Sequence, residues 1–138
     1  MTKIGKEYID DLTGLYNRRY LLLEAIKKLK SAEQKGMPLS IVFIDLNHFK
    51  NVNDIYSYVH GDAVLKEFAT FLKTLLRIDD TVYRYGGDEF ICILPNADYA
   101  QAVMVFGRFM ERCRSREFGG NRLTLSIGIA SFPENAGD

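Results

Sequence analysis

Long apolar runs, net charge and cysteine are all scarce in this chain, and each scarcity excludes something. No segment approaches the roughly 20 consecutive apolar residues needed to span a bilayer, and the first residues, around Lys3, Gly5 and Lys6, contain no apolar signal core. Eighteen basic and 18 acidic side chains cancel. No net field therefore favours wrapping nucleic acid or an anionic membrane, while small anionic ligands remain compatible. Cys92 lies in a predicted strand and Cys113 in a predicted helix; without the close spacing of a metal site they read as reduced thiols rather than a disulfide. A cytoplasmic domain without a nucleic-acid partner is expected, and a full-length parent anchored to a membrane is compatible with that. What the chain does have is core material: 47% apolar and 12% aromatic residues in 138 positions suit one globular domain.

Apolar residues recur at helical spacing through Tyr20, Leu21, Ala25, Ile26 and Leu29, with Asn17 as a cap and Gly36 as the stop. Residues 39–46 form a nearly continuous apolar strand, suited to burial on both faces, that runs out into Asp45, Asn47 and His48. A short helical stretch at 49–55 and a longer helix at about 62–76 follow, the latter with Val64, Leu65, Phe68, Phe71, Leu72 and Leu75 on one side. Next come β-rich runs at 81–85 and 90–94, a helix at about 100–114, and a strand at 122–132 with alternating Leu123, Leu125 and Ile127. The order α, β, α, α, β, β, α, β predicts an α/β (α+β) fold: a sheet of mixed strand directions covered by helices. The tail at 133–138 is polar and turn-like, ending in Asp138, which is suited to capping a further helix.

Between the two β-rich runs stand Gly86, Gly87, Asp88 and Glu89, which read as a hairpin with a carboxylate-bearing tip. Glycines tolerate positive φ and let a phosphate approach the backbone, and carboxylates are the hard oxygen ligands that Mg²⁺ prefers. An ordinary solvated turn would use the same residue types. Asp45 closes the buried strand, so if the strands are neighbours, Asp45 and Asp88 converge at one sheet end and can share a cation with substrate phosphates. Lys50, Asn53, Asp54 and Asp62 lie between that strand and the long helix. They supply groups suited to a phosphate and a purine edge, although each alone is equally a solvated lysine, a turn amide or a helix cap.

Three ordered motifs narrow these alternatives. Asp10-Asp11-Leu12-Thr13-Gly14-Leu15-Tyr16-Asn17-Arg18-Arg19, then Asp45-Leu46-Asn47-His48-Phe49-Lys50 with Asn53-Asp54, then Arg84-Tyr85-Gly86-Gly87-Asp88-Glu89-Phe90 together resemble the GGDEF domain, the catalytic domain of diguanylate cyclases. The resemblance covers nearly the whole chain. It implies a ferredoxin-like palm as in nucleotide cyclases and polymerases, and condensation of two GTP into cyclic di-GMP with Mg²⁺ (or Mn²⁺). By position, Asp45, Asp88 and the Leu46 carbonyl would ligate the metal, Asp88 would also be the base, and Glu89 would support the site. Asn53 and Asp62 would bind guanine, Lys50 would face the phosphates, and Gly86 and Gly87 would leave them room. Two domains would have to face each other as a homodimer, so a monomer is expected to be inactive. An upstream sensory or receiver domain usually imposes that pairing, with residues 1–9 as the stub of a connecting helix. Residues 10–138 would form the domain, short of the helix and strand with which family members continue.

The resemblance further implies a product-inhibition site for cyclic di-GMP at Arg77 and Asp80, supported by Arg108; an arginine fork and a carboxylate suit phosphate and guanine edges, as they equally suit a surface ion pair. Asn47 stands where many relatives carry a second Asp, and Ser57-Tyr58 where they often carry Gly-His. Two readings follow: an active, product-inhibited cyclase, or a catalytically inactive GGDEF domain that binds cyclic di-GMP or GTP.

Overall fold

Asn17 separates an extended segment from a helix. Its backbone is extended and its side-chain oxygen accepts from the Tyr20 amide at 3.1 Å, which satisfies one of the free donors at the start of helix α1, Arg18–Lys35. Gly36 ends that helix with φ 65°, the left-handed conformation that glycine adopts without strain. The structure, a computed structural model, describes residues 4–47, 49 and 58–133. Strand β1 (Tyr16–Asn17) precedes α1; β2 (Leu39–Leu46), helix α2 (Tyr58–Leu75), β3 (Thr81–Gly86), β4 (Glu89–Pro95), helix α3 (Tyr99–Arg114), the short β5 (Glu117–Phe118) and β6 (Asn121–Arg122), and β7 (Leu125–Phe132) follow. Helix α3 opens with a capping box in which Asp98 and Gln101 satisfy each other's backbone amides.

The main sheet has the order β1-β3-β4-β2-β7. Strand β1 runs parallel to β3, whereas β3–β4, β4–β2 and β2–β7 are antiparallel. Each helical crossover therefore skips one strand: β2-α2-β3 straddles β4, and β4-α3-β7 straddles β2. Two interlocked split β-α-β units are the ferredoxin-like arrangement, so the mixed, mainly antiparallel sheet expected from the sequence is the one found. Helices α2 and α3 cover one face around Val42, Ile44, Phe90, Cys92 and Phe68, and α1 covers part of the other around Leu21, Tyr83 and Ile93. Both cysteines are buried and free. Among the described residues no helix is long and apolar enough to cross a membrane.

Two boundaries differ from the sequence expectation. Helix α2 begins at Tyr58 rather than near Asp62, because packing carries it through Gly61, which is buried, past His60, whose ring bonds the Asn121 side chain at 2.5 Å; tertiary contacts outweigh the modest helix penalty of a glycine. The strand expected at 122–132 is two pieces, since Gly119 (φ 57°) and Gly120 (φ 80°) turn β5 into β6 before β7 starts at Leu125. The helical stretch expected at 49–55 lies outside the described residues except for Phe49, which is buried in the core.

Register gives the sheet two functional ends. Leu39 pairs with Pro95 at one and Asp45 with Glu89 at the other, about 20 Å apart at the usual rise per strand residue. Phe68, fully buried, lies between Phe90 at 5.1 Å, Phe118 at 5.7 Å and Phe109 at 5.9 Å, measured between ring centroids. Phe68→Ala is expected to lower unfolding stability by about 3–5 kcal/mol in urea denaturation. Ile78→Ala, at a side chain 99% exposed, should stay within about 0.5 kcal/mol.

Candidate functional site

The site is built where β2 runs out beside the β3–β4 turn. Gly87 and Asp88 form that turn, and a bulge at Tyr85 shifts the register so that Gly86 faces Glu89. A bulge adds local twist and re-aims the residues beyond it. The Leu46 amide donates to the Asp88 carbonyl at 3.0 Å, extending the β2–β4 ladder into the turn. Asp45 is the register partner of both Glu89 and Ser126. The sequence expectation that Asp45 and Asp88 belong to neighbouring elements at one sheet end is therefore met, with Leu46, Gly86, Gly87 and Glu89 alongside.

Charge makes the proximity of the two acids measurable. Burial pushes the Asp88 carboxyl above the ordinary aspartate range, the Asp45 carboxylate raises it further, and an amide hydrogen bond and Arg84 only partly oppose this. Two like charges in a half-buried setting disfavour each other's ionisation, and a cation relieves both. The Asp45 and Asp88 carboxylates and the Leu46 carbonyl are hard oxygens that could hold a divalent ion completing its shell with phosphates and water. No three His, Cys, Asp or Glu side chains gather as a ready metal cage among the described residues.

Gly86 serves space here rather than backbone conformation. Neither Gly86 nor Gly87 is among the positive-φ glycines, so the conformational reason expected from the sequence is corrected. A Cβ on Gly86 would collide with the Glu89 carboxylate, whereas one on Gly87 would meet nothing within 4 Å. The surface beside the turn is open. Asp62 is exposed near the start of α2; it is not a helix cap, because the helix begins earlier. Since α2 crosses over from the end of β2, its first turns stand at the carboxylate end of the sheet. Lys50, Asn53, Asp54 and Ser57 lie outside the described residues. The Asn47 side-chain oxygen accepts from the Ser126 hydroxyl at 2.7 Å, tying the end of β2 to β7, and its backbone amide donates to the Thr124 carbonyl at 2.9 Å.

Sequence reasoning gave Arg84 and Asp10 no individual role. Arg84 Nη1 reaches both Asp10 carboxylate oxygens at 3.2 Å each, and Nη2 donates to the Gly87 carbonyl at 2.9 Å. Burial alone would raise the Asp10 carboxyl, but bonds from the Thr13 hydroxyl and amide and the Arg84 charge outweigh it and hold it below the usual range. The readable signal was local and covered one partner: Asp-x-x-Thr is a self-bonding turn pattern.

At the opposite sheet end, Arg77 and Asp80 are already joined. The Arg77 amide donates to Asp80 at 2.9 Å, its Nη2 to the same carboxylate at 3.2 Å and to the Pro95 carbonyl at 2.9 Å. Arg77 is nevertheless 57% exposed along its side chain while Asp80 is 5% exposed. Beside it a cavity of about 480 Å³ is lined by Lys28, Ser31, Lys35, Arg77 and Asn96 among others. Three cations and the Asp79 carboxylate line it, a net positive charge that suits an anion. Arg108 is exposed on α3 and does not line that cavity.

Comparison with known proteins agrees with this geometry. The family model "Diguanylate cyclase, GGDEF domain" matches residues 7–138. Diguanylate cyclase A of Treponema denticola is 37% identical over 130 residues, covering 89% of this chain and 35% of that protein. Response regulator PleD of Caulobacter vibrioides is 37% identical over 132 residues, covering 88% and 28%. The chain thus spans about a third of the length of these relatives. Among solved structures, the GGDEF domain of DgcB from Caulobacter crescentus, in complex with c-di-GMP, superposes with TM-score 0.85 at 25% identity, over 95% of this chain and 78% of that one. With the motifs, the sheet order and the carboxylate pair all accounted for, this chain belongs to the GGDEF family of diguanylate cyclase domains.

Proposed function

We propose that this domain condenses two GTP molecules into cyclic di-GMP and two pyrophosphates, working as a twofold homodimer within a larger regulated protein. The observation that carries this reading is the Asp45–Asp88 pair at the end of β2, with the Leu46 carbonyl and an open glycine turn beside it. Asp45, Asp88 and the Leu46 carbonyl would hold Mg²⁺ or Mn²⁺, with Glu89 supporting them. When bound, such an ion lowers the pKa of a ribose 3′-hydroxyl and neutralises charge developing on the α-phosphate.

The chain's own groups do the rest. Asp88, whose carboxyl has a raised affinity for protons, takes the proton from the attacking 3′-hydroxyl. The 3′-oxygen then bonds to the α-phosphorus of the facing GTP as the bond to pyrophosphate breaks. Gly86 and Gly87 leave room for the phosphates, Lys50 faces their charge, and Asn53 and Asp62 hydrogen-bond guanine. Each domain carries one GTP, so two must be apposed for either hydroxyl to reach a phosphorus. An upstream sensory or receiver domain would supply that apposition.

Cyclic di-GMP would then inhibit by binding at Arg77 and Asp80, with Arg108 in support. The exposed Arg77 fork and the neighbouring Lys28 and Lys35 favour this anionic ligand. The same cavity favours a second reading, in which the domain is catalytically inactive and senses cyclic di-GMP.

Three outcomes follow. With the chain dimerised by a fused coiled coil and supplied with GTP and Mg²⁺, chromatography should detect cyclic di-GMP, and Asp45→Asn should reduce its rate by about 100-fold or more; binding of cyclic di-GMP without any turnover would select the sensor reading instead. Arg77→Ala should weaken cyclic di-GMP binding in calorimetry, and unchanged affinity would remove the inhibitory site from Arg77. Finally, the folded protein holds the Asp88 proton more tightly than the unfolded chain does, so Asp88 subtracts stability once pH rises above the ordinary aspartate value of 3.8. Asp88→Asn should therefore raise the Tm at neutral pH without divalent cation, and the gain should vanish in acid; an unchanged or lower Tm would contradict the charge repulsion.

A further inference from the structure

The β3–β4 turn is held by a backbone bond from β2 and by a side chain from β3 that is itself anchored outside the sheet. From β2, the Leu46 amide holds the Asp88 carbonyl. From the opposite side, Arg84 holds the Gly87 carbonyl while its other nitrogen grips both oxygens of Asp10. Asp10 is itself fixed by the Thr13 amide at 2.9 Å and hydroxyl at 2.7 Å, and its backbone amide donates to the Leu15 carbonyl at 2.7 Å. This opening loop is pinned to the sheet edge, where Tyr16 and Asn17 run parallel to Tyr83 and Arg84. The residues before it are pinned as well, through Asn17 Nδ2 to the Glu7 carbonyl at 2.8 Å and the Ile9–Tyr16 bridge.

We propose that Arg84 and Asp10 are positioning residues for Asp88: a charged strut that carries the placement of the opening segment, residues 4–15, into the catalytic turn. The inference rests on the cyclase reading for its kinetic consequence and on geometry alone for its structural one. Three features set this pair apart from a surface ion pair. Both side chains are largely covered, 18% and 20% exposed. Arg84 Nε is buried and has no hydrogen-bond partner among the described residues, so the guanidinium is oriented for its two outer nitrogens at the expense of the third. The contact at Gly87 goes to the backbone next to Asp88, so a shift of Asp10 moves the turn through a chain of charge-assisted bonds without touching nucleotide.

Arginine's planar fork is needed because one side chain must serve two targets in fixed directions; a lysine ammonium can follow one of them. Removing the strut should leave Asp88 attached to β2 through Leu46 and free to wander on its other side. Substrate would still dock, since neither Arg84 nor Asp10 is assigned a contact with it, but the base would sit off line. Misplacement of a reacting group by about 1 Å lowers the rate on the order of 100-fold.

The test compares the wild-type chain with Asp10→Asn and Arg84→Lys in two measurements. Amide hydrogen exchange, followed residue by residue, should accelerate at positions 87–89 in both variants while β2 amides such as Val42 and Ile44 keep their protection. In the coiled-coil dimer, kcat should fall by roughly 10- to 100-fold with the KM for GTP within about twofold. Unchanged exchange at 87–89 in both variants overturns the strut, and so does equal acceleration across β2 and β4, which would mean a role in global stability alone. Turnover unchanged in both variants overturns the positioning role. If the wild-type dimer makes no cyclic di-GMP, the cyclase reading fails and the exchange comparison still decides the strut. Should Arg84→Lys not fold, Asp10→Asn, which keeps the side chain's shape, carries both measurements.

Discussion

Asp45 and Asp88 repel each other, and the backbone around them allows neither to retreat. Asp45 is locked in the middle of a three-strand register between Glu89 and Ser126. Asp88 is held by its own carbonyl to the Leu46 amide. Concentrated negative charge at the end of a buried strand is unfavourable by itself, and the raised proton affinity of Asp88 records that. Such an arrangement makes physical sense when a cation and a phosphate are its usual company, since the cation neutralises the acids and the acids keep the cation weakly enough bound to share it. The split β-α-β topology is what delivers the pair: skipping one strand at each crossover puts β2 and β4 side by side at the centre, so the end of one meets the start of the other.

The two ends of the sheet differ in charge. Two carboxylates face each other at the β2 terminus, while the Leu39–Pro95 end sets Arg77, Lys28 and Lys35 against Asp79 and the ion-paired Asp80. In a chain of zero net charge this separation matters more than the sum, because an anionic nucleotide meets different fields at the two ends. Arg77 is also a fold residue, stitching the end of α2 to the end of β4 through Pro95. A ligand at that corner competes for donors that already have partners, so its binding is linked to the geometry of the β4 terminus, about 20 Å along the strand from Glu89.

Much of this was legible in the residues, for identifiable reasons. Helices α1 and α3 announced themselves by periodicity, α1 also by Asn17 and Gly36, and β2 by a nearly continuous apolar run; these are local signals. Asp45 and Asp88 were legible as polar residues at a strand end and a hairpin tip, but their meeting depends on strand order, which no local pattern encodes. The start of α2 was placed near Asp62, which reads as a cap, whereas burial of Gly61 and the His60–Asn121 contact carry the helix back to Tyr58. Strand β1 is two residues long, too short for any period to register. The Asp10–Arg84 bond spans 74 positions, so the sequence contained both partners and nothing that joined them. The glycines of the turn were read for backbone freedom and for room; the first does not hold, since neither has positive φ, and at Gly86 a side chain would meet Glu89.

The most direct test of the central claim is a crystal structure of the chain grown with Mn²⁺ and a non-hydrolysable GTP analogue, with anomalous scattering collected at the manganese edge. The account predicts an anomalous peak within coordination distance of the Asp45 and Asp88 carboxylates and the Leu46 carbonyl, with the analogue's phosphates lying over Gly86 and Gly87. Manganese and nucleotide bound only at the Arg77 end, or an analogue bound at the turn with no ion between Asp45 and Asp88, would contradict it.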